Sequence, residues 1–213
     1  MSQLHTVTEP EPMPTDRLVG LISSRICHDL INPLSAISNG VELLGMAPDG
    51  TQGPEFQLIK DSVENANARV RFFRIAFGTA RPDDTLDGDE VEAVLDAISK
   101  GMRQDLHWDA RGTLPRREVK LCFLLIQCLE TTLPFGGVIN VRRTGTTWSL
   151  SAQTERFADV GQLWRIITHA DGDSDLTAAQ VHFSLAATEQ DTQSKRIDVT
   201  QDQGTMTVTI RSA

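Results

Sequence analysis

Apolar residues recur every three or four positions between Leu18 and Leu44. Wound at about 100° per residue, Val19, Ile22, Ile26, Leu30, Leu34, Ile37, Val41 and Leu44 fall on one stripe. The pattern predicts an amphipathic helix over about 16–46, with Thr15 or Asp16 able to cap it. His28 lands about 180° from the centre of that stripe, with Ser24, Asn32, Ser35, Asn39 and Glu42 near it. A core histidine would lie on the other side. Pro33 interrupts the pattern locally. Its ring removes the N–H that would bond the Asp29 carbonyl, and it crowds that carbonyl. The stripe continues in phase beyond Pro33, which favours one kinked helix over two helices meeting there. A break in a helix interior costs about 3 kcal/mol, and a local rule broken without evident gain tends to mark a functional site.

The remaining pattern divides the chain in two. Residues 1–15, rich in proline and acids, read as a disordered tail. Residues 47–54 are a turn-rich connector. A second helix is predicted over about 55–80, with Phe56, Ile59, Val63, Ala66, Val70, Phe73 and Phe77 on one face. A short connector makes the two helices antiparallel neighbours, so 16–80 reads as a helical hairpin. Leu58, Ala68, Phe72 and Ala76 form a second apolar set that one hairpin leaves uncovered. Either a second hairpin covers it, giving a four-helix bundle in a homodimer, or the rest of the chain does. The dimer is the expectation here.

Residues 81–84 break the helical pattern and mark the boundary to a domain over 84–213. Helices are predicted over 90–101, 116–133, 157–170 and 178–188. Strands are predicted at 105–108, 138–143, 147–153, 195–200 and 205–211. Helices segregated onto a mostly antiparallel sheet give an α/β sandwich, so the whole chain is α+β.

Charge and composition narrow the chemistry. The 213 residues carry a net charge of −9, which argues against nucleic acid or an anionic membrane as partner. No apolar run approaches the roughly 20 residues of a membrane span, and no signal-peptide pattern is present. Cys122 and Cys128 lie in an apolar helical run and read as reduced core thiols of a cytoplasmic protein. His5 is in the tail. His107, His169 and His182 read as surface or boundary histidines without a metal-like partner at helical spacing. Residues 171–175 weakly resemble a calcium loop but lack its downstream Glu. Arg69, Arg71, Arg74 and Arg81 read as an ordinary charged helix face.

The run His28-Asp29-Leu30-Ile31-Asn32-Pro33-Leu34 resembles the H-box of sensor histidine kinases. The wider run from Cys27 to Glu42 resembles one narrower family, the ChpT-type histidine phosphotransferases of alphaproteobacteria. The resemblance implies that His28 is the phosphoacceptor, and that Asp29 and Asn32 assist as base and orienting group, with Pro33 bending the helix beside them. It also implies a homodimer and two kinds of partner: the receiver domain of a hybrid histidine kinase, and response regulators. Ser24, Ser35, Asn39 and Glu42, small or polar neighbours of His28, are candidates for receiver docking. The arginines of the second helix could also steer a receiver's acidic pocket. The domain over 84–213 resembles the ATP-binding domain of histidine kinases in its order of elements. Ile126 and Glu130 stand where those kinases carry two asparagines that help hold magnesium and phosphates. Residues 152–156 lack the Asp and glycines of the adenine site, and no Gly-rich lid follows. Backbone that cradles phosphate needs glycine for close approach. The expectation is a degenerate ATPase fold with no ATP, no metal and no cofactor of its own, the magnesium being supplied by the partner receiver. Two alternatives stand beside it. One is an active histidine kinase with a divergent ATP site; the other is a non-catalytic scaffold that binds receivers.

Overall fold

The computed structural model describes residues 14–46, 53–169 and 176–213. The tail with His5, most of the first connector, and the calcium-like stretch 171–175 lie outside the described residues.

The first helix, α1 (Thr15–Met46), is continuous and carries Pro33 inside it. Thr15 and Asp16 are its first helical residues rather than caps. The second helix, α2 (Pro54–Ala76), starts with a proline, whose missing N–H costs nothing at a first turn. It ends at Ala76 instead of near 80. The chain around Arg74 shows why. The Arg116 guanidinium donates to the Arg74 carbonyl at 2.9 Å, capping the final turn from outside. A Cβ on Gly78 would stand only 2.2 Å from that same carbonyl.

The domain that follows contains β1 (Thr85–Asp87), α3 (Gly88–Ser99), β2 (Gln104–Asp109), β3 (Thr113–Pro115) and α4 (Arg116–Thr132). Then come β4 (Gly137–Thr144), β5 (Thr147–Gln153), α5 (Gly161–Thr168), a 3-10 turn (Ala178–Gln180), α6 (Val181–Thr192), β6 (Lys195–Asp202) and β7 (Thr205–Ser212). Five strands form one sheet in the order β2-β4-β5-β7-β6. Only β2 and β4 run parallel; the other pairs are antiparallel. Burial alternates along β2, β5 and β7, so one sheet face is covered and the other faces water. A separate two-stranded ladder joins β1 to β3. Its three-residue strands are too short for any periodicity to announce them.

Two predicted elements change extent. The helix expected over 157–170 is only α5. The Ala158 N–H bonds the Thr132 carbonyl at the end of α4, which keeps that stretch out of the helix until residue 160. The last helix is longer than predicted and is preceded by a 3-10 turn with a Thr177/Gln180 capping box.

The core centres on α4, which is apolar and buried nearly all round from Val119 to Leu129. Phe123 of α4 packs edge-on against Trp108 of β2. On its other side it stacks on Phe72 of α2, ring centroids 4.8 Å apart. Ala68, Phe72 and Ala76 are all buried there. The second apolar set of α2 is therefore covered mainly by its own chain, contrary to the expectation that a partner hairpin would cover it. Leu58 alone of that set stays exposed.

The stripe on α1 also divides. Asp29, Pro33 and Gly40 are its buried positions, a line rotated by roughly 60° from the centre of the apolar stripe. Ile22, Ile26, Leu30 and Ile37 are half-buried beside that line. Val19, Leu34 and Val41 point outward and remain exposed, together with Phe56, Val63 and Val70 on α2.

Candidate functional site

The inward rotation of α1 decides what surrounds His28. Its side chain is 77% exposed, on the solvent side as the helical wheel requires. Asp29, one residue on, turns inward and is nearly buried. From there its Oδ1 reaches back to His28 Nδ1 at 3.1 Å. Its Oδ2 lies 2.9 Å from Arg25 Nε, one turn earlier on the same helix. Arg69 of α2 brings Nη1 to 3.9 Å from the same oxygen, and Arg69 Nε donates to Asn65 Oδ1 at 3.0 Å. An ion-paired carboxylate can only accept, so Nδ1 must carry the ring proton. The lone pair of Nε2 is then left for an incoming electrophile.

The other predicted residues separate into two groups. Asn32, Ser24, Ser35, Asn39 and Glu42 are all exposed. Among the described residues the hydrogen bond at the ring goes to Asp29, not to Asn32. Pro33 is buried, one turn beyond Asp29. The arginines Arg25 and Arg69 were not singled out by sequence pattern for this role. The i,i+4 spacing of Arg25 and Asp29 is the signal that could have found the first. Arg69 comes from another helix, and no local pattern announces it.

The two positions matched to kinase asparagines have other uses here. Ile126 is fully buried in the core. Glu130 is half-buried; burial pushes its carboxyl above the ordinary range, while Arg25 and Arg69 pull it down and Asp29 pushes it up. Glu130 thus belongs electrostatically to the cluster beneath His28. Near residues 152–156, Arg156 lies over the exposed Phe135 ring at 5.6 Å. Among the described residues no group of three or more His, Cys, Asp or Glu could hold a metal. No described helix is long and apolar enough to cross a membrane. Cys122 and Cys128 are buried, and burial pushes both thiols up; Cys27 is exposed.

His182 corrects an expectation. It is fully buried rather than at the surface, with Nε2 3.0 Å from the Thr131 hydroxyl. The spacing of α6 hides this, because a polar ring on a helix facing α4 looks like a boundary residue until the packing is known. Burial, with a smaller contribution from Arg25, lowers its pKa from 6.5 to about 3. The folded protein therefore binds fewer protons at His182 than the unfolded chain between those values. Stability contributed by the neutral ring is present above about pH 6.5 and is lost as pH falls toward 3, on the order of 5 kcal/mol in all. His182→Gln, which can keep a bond to Thr131, should flatten that fall. Thermal unfolding of both proteins at a series of pH values measures it; parallel curves would contradict it.

Comparison with known proteins identifies the family. Residues 88–205 match the family model for the histidine phosphotransferase C-terminal domain. The chain is 37% identical over 131 residues to the protein phosphotransferase ChpT of Brucella abortus (strain 2308). That alignment spans 61% of this chain and 62% of the relative, less than two thirds of its length. A solved bacterial phosphotransferase superposes with a TM-score of 0.78 at 25% identity, covering 96% of this chain and all of that one. The histidine kinase AdeS of Acinetobacter baumannii matches more loosely, 16% identical over 87% of this chain and 97% of that one, with a TM-score of 0.42. A family model over most of the α/β domain, and a phosphotransferase fold that extends through the hairpin bearing His28, together make this chain a member of the ChpT-like histidine phosphotransferase family.

Proposed function

We propose that the chain relays a phosphoryl group from the receiver aspartate of a hybrid histidine kinase to the aspartates of response regulators, through His28. The observation that carries this reading is an exposed imidazole whose Nδ1 is engaged by Asp29, leaving Nε2 open. Nε2 attacks the phosphorus of the receiver's aspartyl phosphate. An N–P bond forms, the P–O bond to the aspartate breaks, and the carboxylate leaves with the electron pair. The ring gains positive charge as it is phosphorylated. Asp29, beside Nδ1–H, is placed to stabilise that charge. The receiver supplies magnesium for the phosphoryl oxygens, so this chain need supply only an aligned nucleophile. The reverse attack by a second receiver's aspartate completes the relay.

Support for transfer without ATP comes from the two positions matched to kinase asparagines: Ile126 is in the core, and Glu130 is drawn into the cluster with Arg25, Arg69 and Asp29. The test has two arms. A purified phosphorylated receiver should label the protein in the absence of ATP. Labelled ATP with magnesium should show no saturable binding and no self-labelling. Self-labelling would favour the kinase alternative; labelling by neither route would favour the scaffold.

The proposed homodimer rests on the uncovered apolar residues of both helices, Val19, Leu34, Val41, Phe56, Val63 and Val70. Several large apolar residues left exposed on two packed helices point to an interaction site. Paired hairpins would bury it as a four-helix bundle. The double substitution Leu34→Glu with Val41→Glu should convert a micromolar dimer to monomer in sedimentation. A monomeric wild-type protein at that concentration would contradict the proposal.

A further inference from the structure

Arg25 joins α1 to the 3-10 turn beneath His28. Its side chain is only 18% exposed although it belongs to a surface helix. Nε pairs with Asp29 Oδ2 at 2.9 Å. Nη1 donates to the Ala179 carbonyl at 3.4 Å, in the 3-10 turn that leads into α6. The charged and titratable groups that face this cluster are His28 from α1, Arg69 from α2, Glu130 from α4 and His182 from α6.

The arrangement matters because a histidine ring in water favours its proton on Nε2. A nucleophile at Nε2 needs the opposite tautomer, and the bond made by the other nitrogen decides which one is present. Here that bond is to Asp29, whose second oxygen lies in ion-pair contact with the Arg25 guanidinium at 2.9 Å, although Nε makes no hydrogen bond. Arg69 stands a full ångström farther from that oxygen than Arg25. Without Arg25 the carboxylate would be free to turn toward Arg69 and away from the ring. We propose that Arg25 is a positioning residue for phosphoryl transfer: it holds the Asp29 carboxylate against His28 Nδ1 and so keeps the Nε2 lone pair available. The proposal rests on the reading of His28 as the phosphoacceptor. It also assigns the C-terminal domain a part in the chemistry, since the Ala179 carbonyl helps fix the guanidinium.

Two readouts on the full-length protein test it. The first is nitrogen NMR of the His28 ring, which reports the tautomer whether or not any transfer occurs. The second is the rate of phosphate acceptance at saturating phosphorylated receiver, with the half-saturating concentration. Arg25→Gln should shift the ring toward the Nε2–H form and lower the saturating rate about tenfold or more, leaving the half-saturating concentration unchanged. Arg25→Lys, which keeps a cation near Asp29, should recover part of both. Arg25→Gln in an Asp29→Asn background should add no further loss of rate. If Arg25→Lys and Arg25→Gln both keep the wild-type tautomer, Arg25 only fastens the helix to the domain and the proposal is overturned. If the wild-type protein accepts no phosphate at all, the phosphotransfer reading fails, while the tautomer measurement still decides the role of Arg25.

Discussion

His28→Ala is expected to abolish phosphate acceptance from a phosphorylated receiver while leaving the fold and oligomeric state intact. Both halves of the expectation come from exposure. The side chain is outside the core, and substitutions at such positions usually change stability by no more than about 0.5 kcal/mol. Its loss nevertheless removes the exposed ring nitrogen that serves as nucleophile, while Asp29 is nearly buried and paired with Arg25. Thermal unfolding and sedimentation check the first half, and transfer from labelled receiver checks the second. Asn32→Ala, which removes an exposed neighbour that makes no bond to the ring, should slow transfer without abolishing it. Acceptance by His28→Ala would move the search to His107 and His169, both exposed.

Phe72→Ala should destabilise the whole chain by about 3–5 kcal/mol, the usual cost of emptying an aromatic site in a core. Phe72 is 3% exposed and stacks on Phe123 of α4. The hairpin and the α/β domain share one apolar core through this contact, so the loss should not be confined to the hairpin. At this chain length it corresponds to a fall in melting temperature of roughly 10 °C. Wild-type and variant should each unfold in one transition, the variant earlier. Two separated transitions in the variant, with the α/β domain melting as before, would show that the hairpin is only loosely attached.

The fold was legible where residues repeat with a period. The stripes of 18–44 and 116–133, and the alternations of 138–153 and 195–211, announce their elements because burial on one face leaves a regular trace. What escaped was decided by contacts distant in sequence. The early end of α2 depends on Arg116, and the delay before α5 on the Thr132 carbonyl. The fate of Phe72 depends on Phe123, and a helical wheel cannot say whether a second apolar face meets another copy or another part of the same chain. The site shows the same division. His28 and its exposed neighbours are visible on the wheel, because exposure follows from the stripe. The support beneath His28 is not, because Arg69, Glu130 and His182 arrive from three other helices. The family resemblance gives Asn32 the orienting role, yet Asp29 makes the bond to the ring, since the inward turn of α1 carries the carboxylate under it.

The most direct measurement locates the phosphoryl group on the wild-type protein. Incubation with a purified phosphorylated receiver, without ATP, should yield one labelled peptide, the one containing His28. The label should be labile in acid and stable in base, as a phosphoramidate is, and a second receiver with a free aspartate should remove it. Label on another residue, or label that appears only when ATP is added, would contradict a relay through His28.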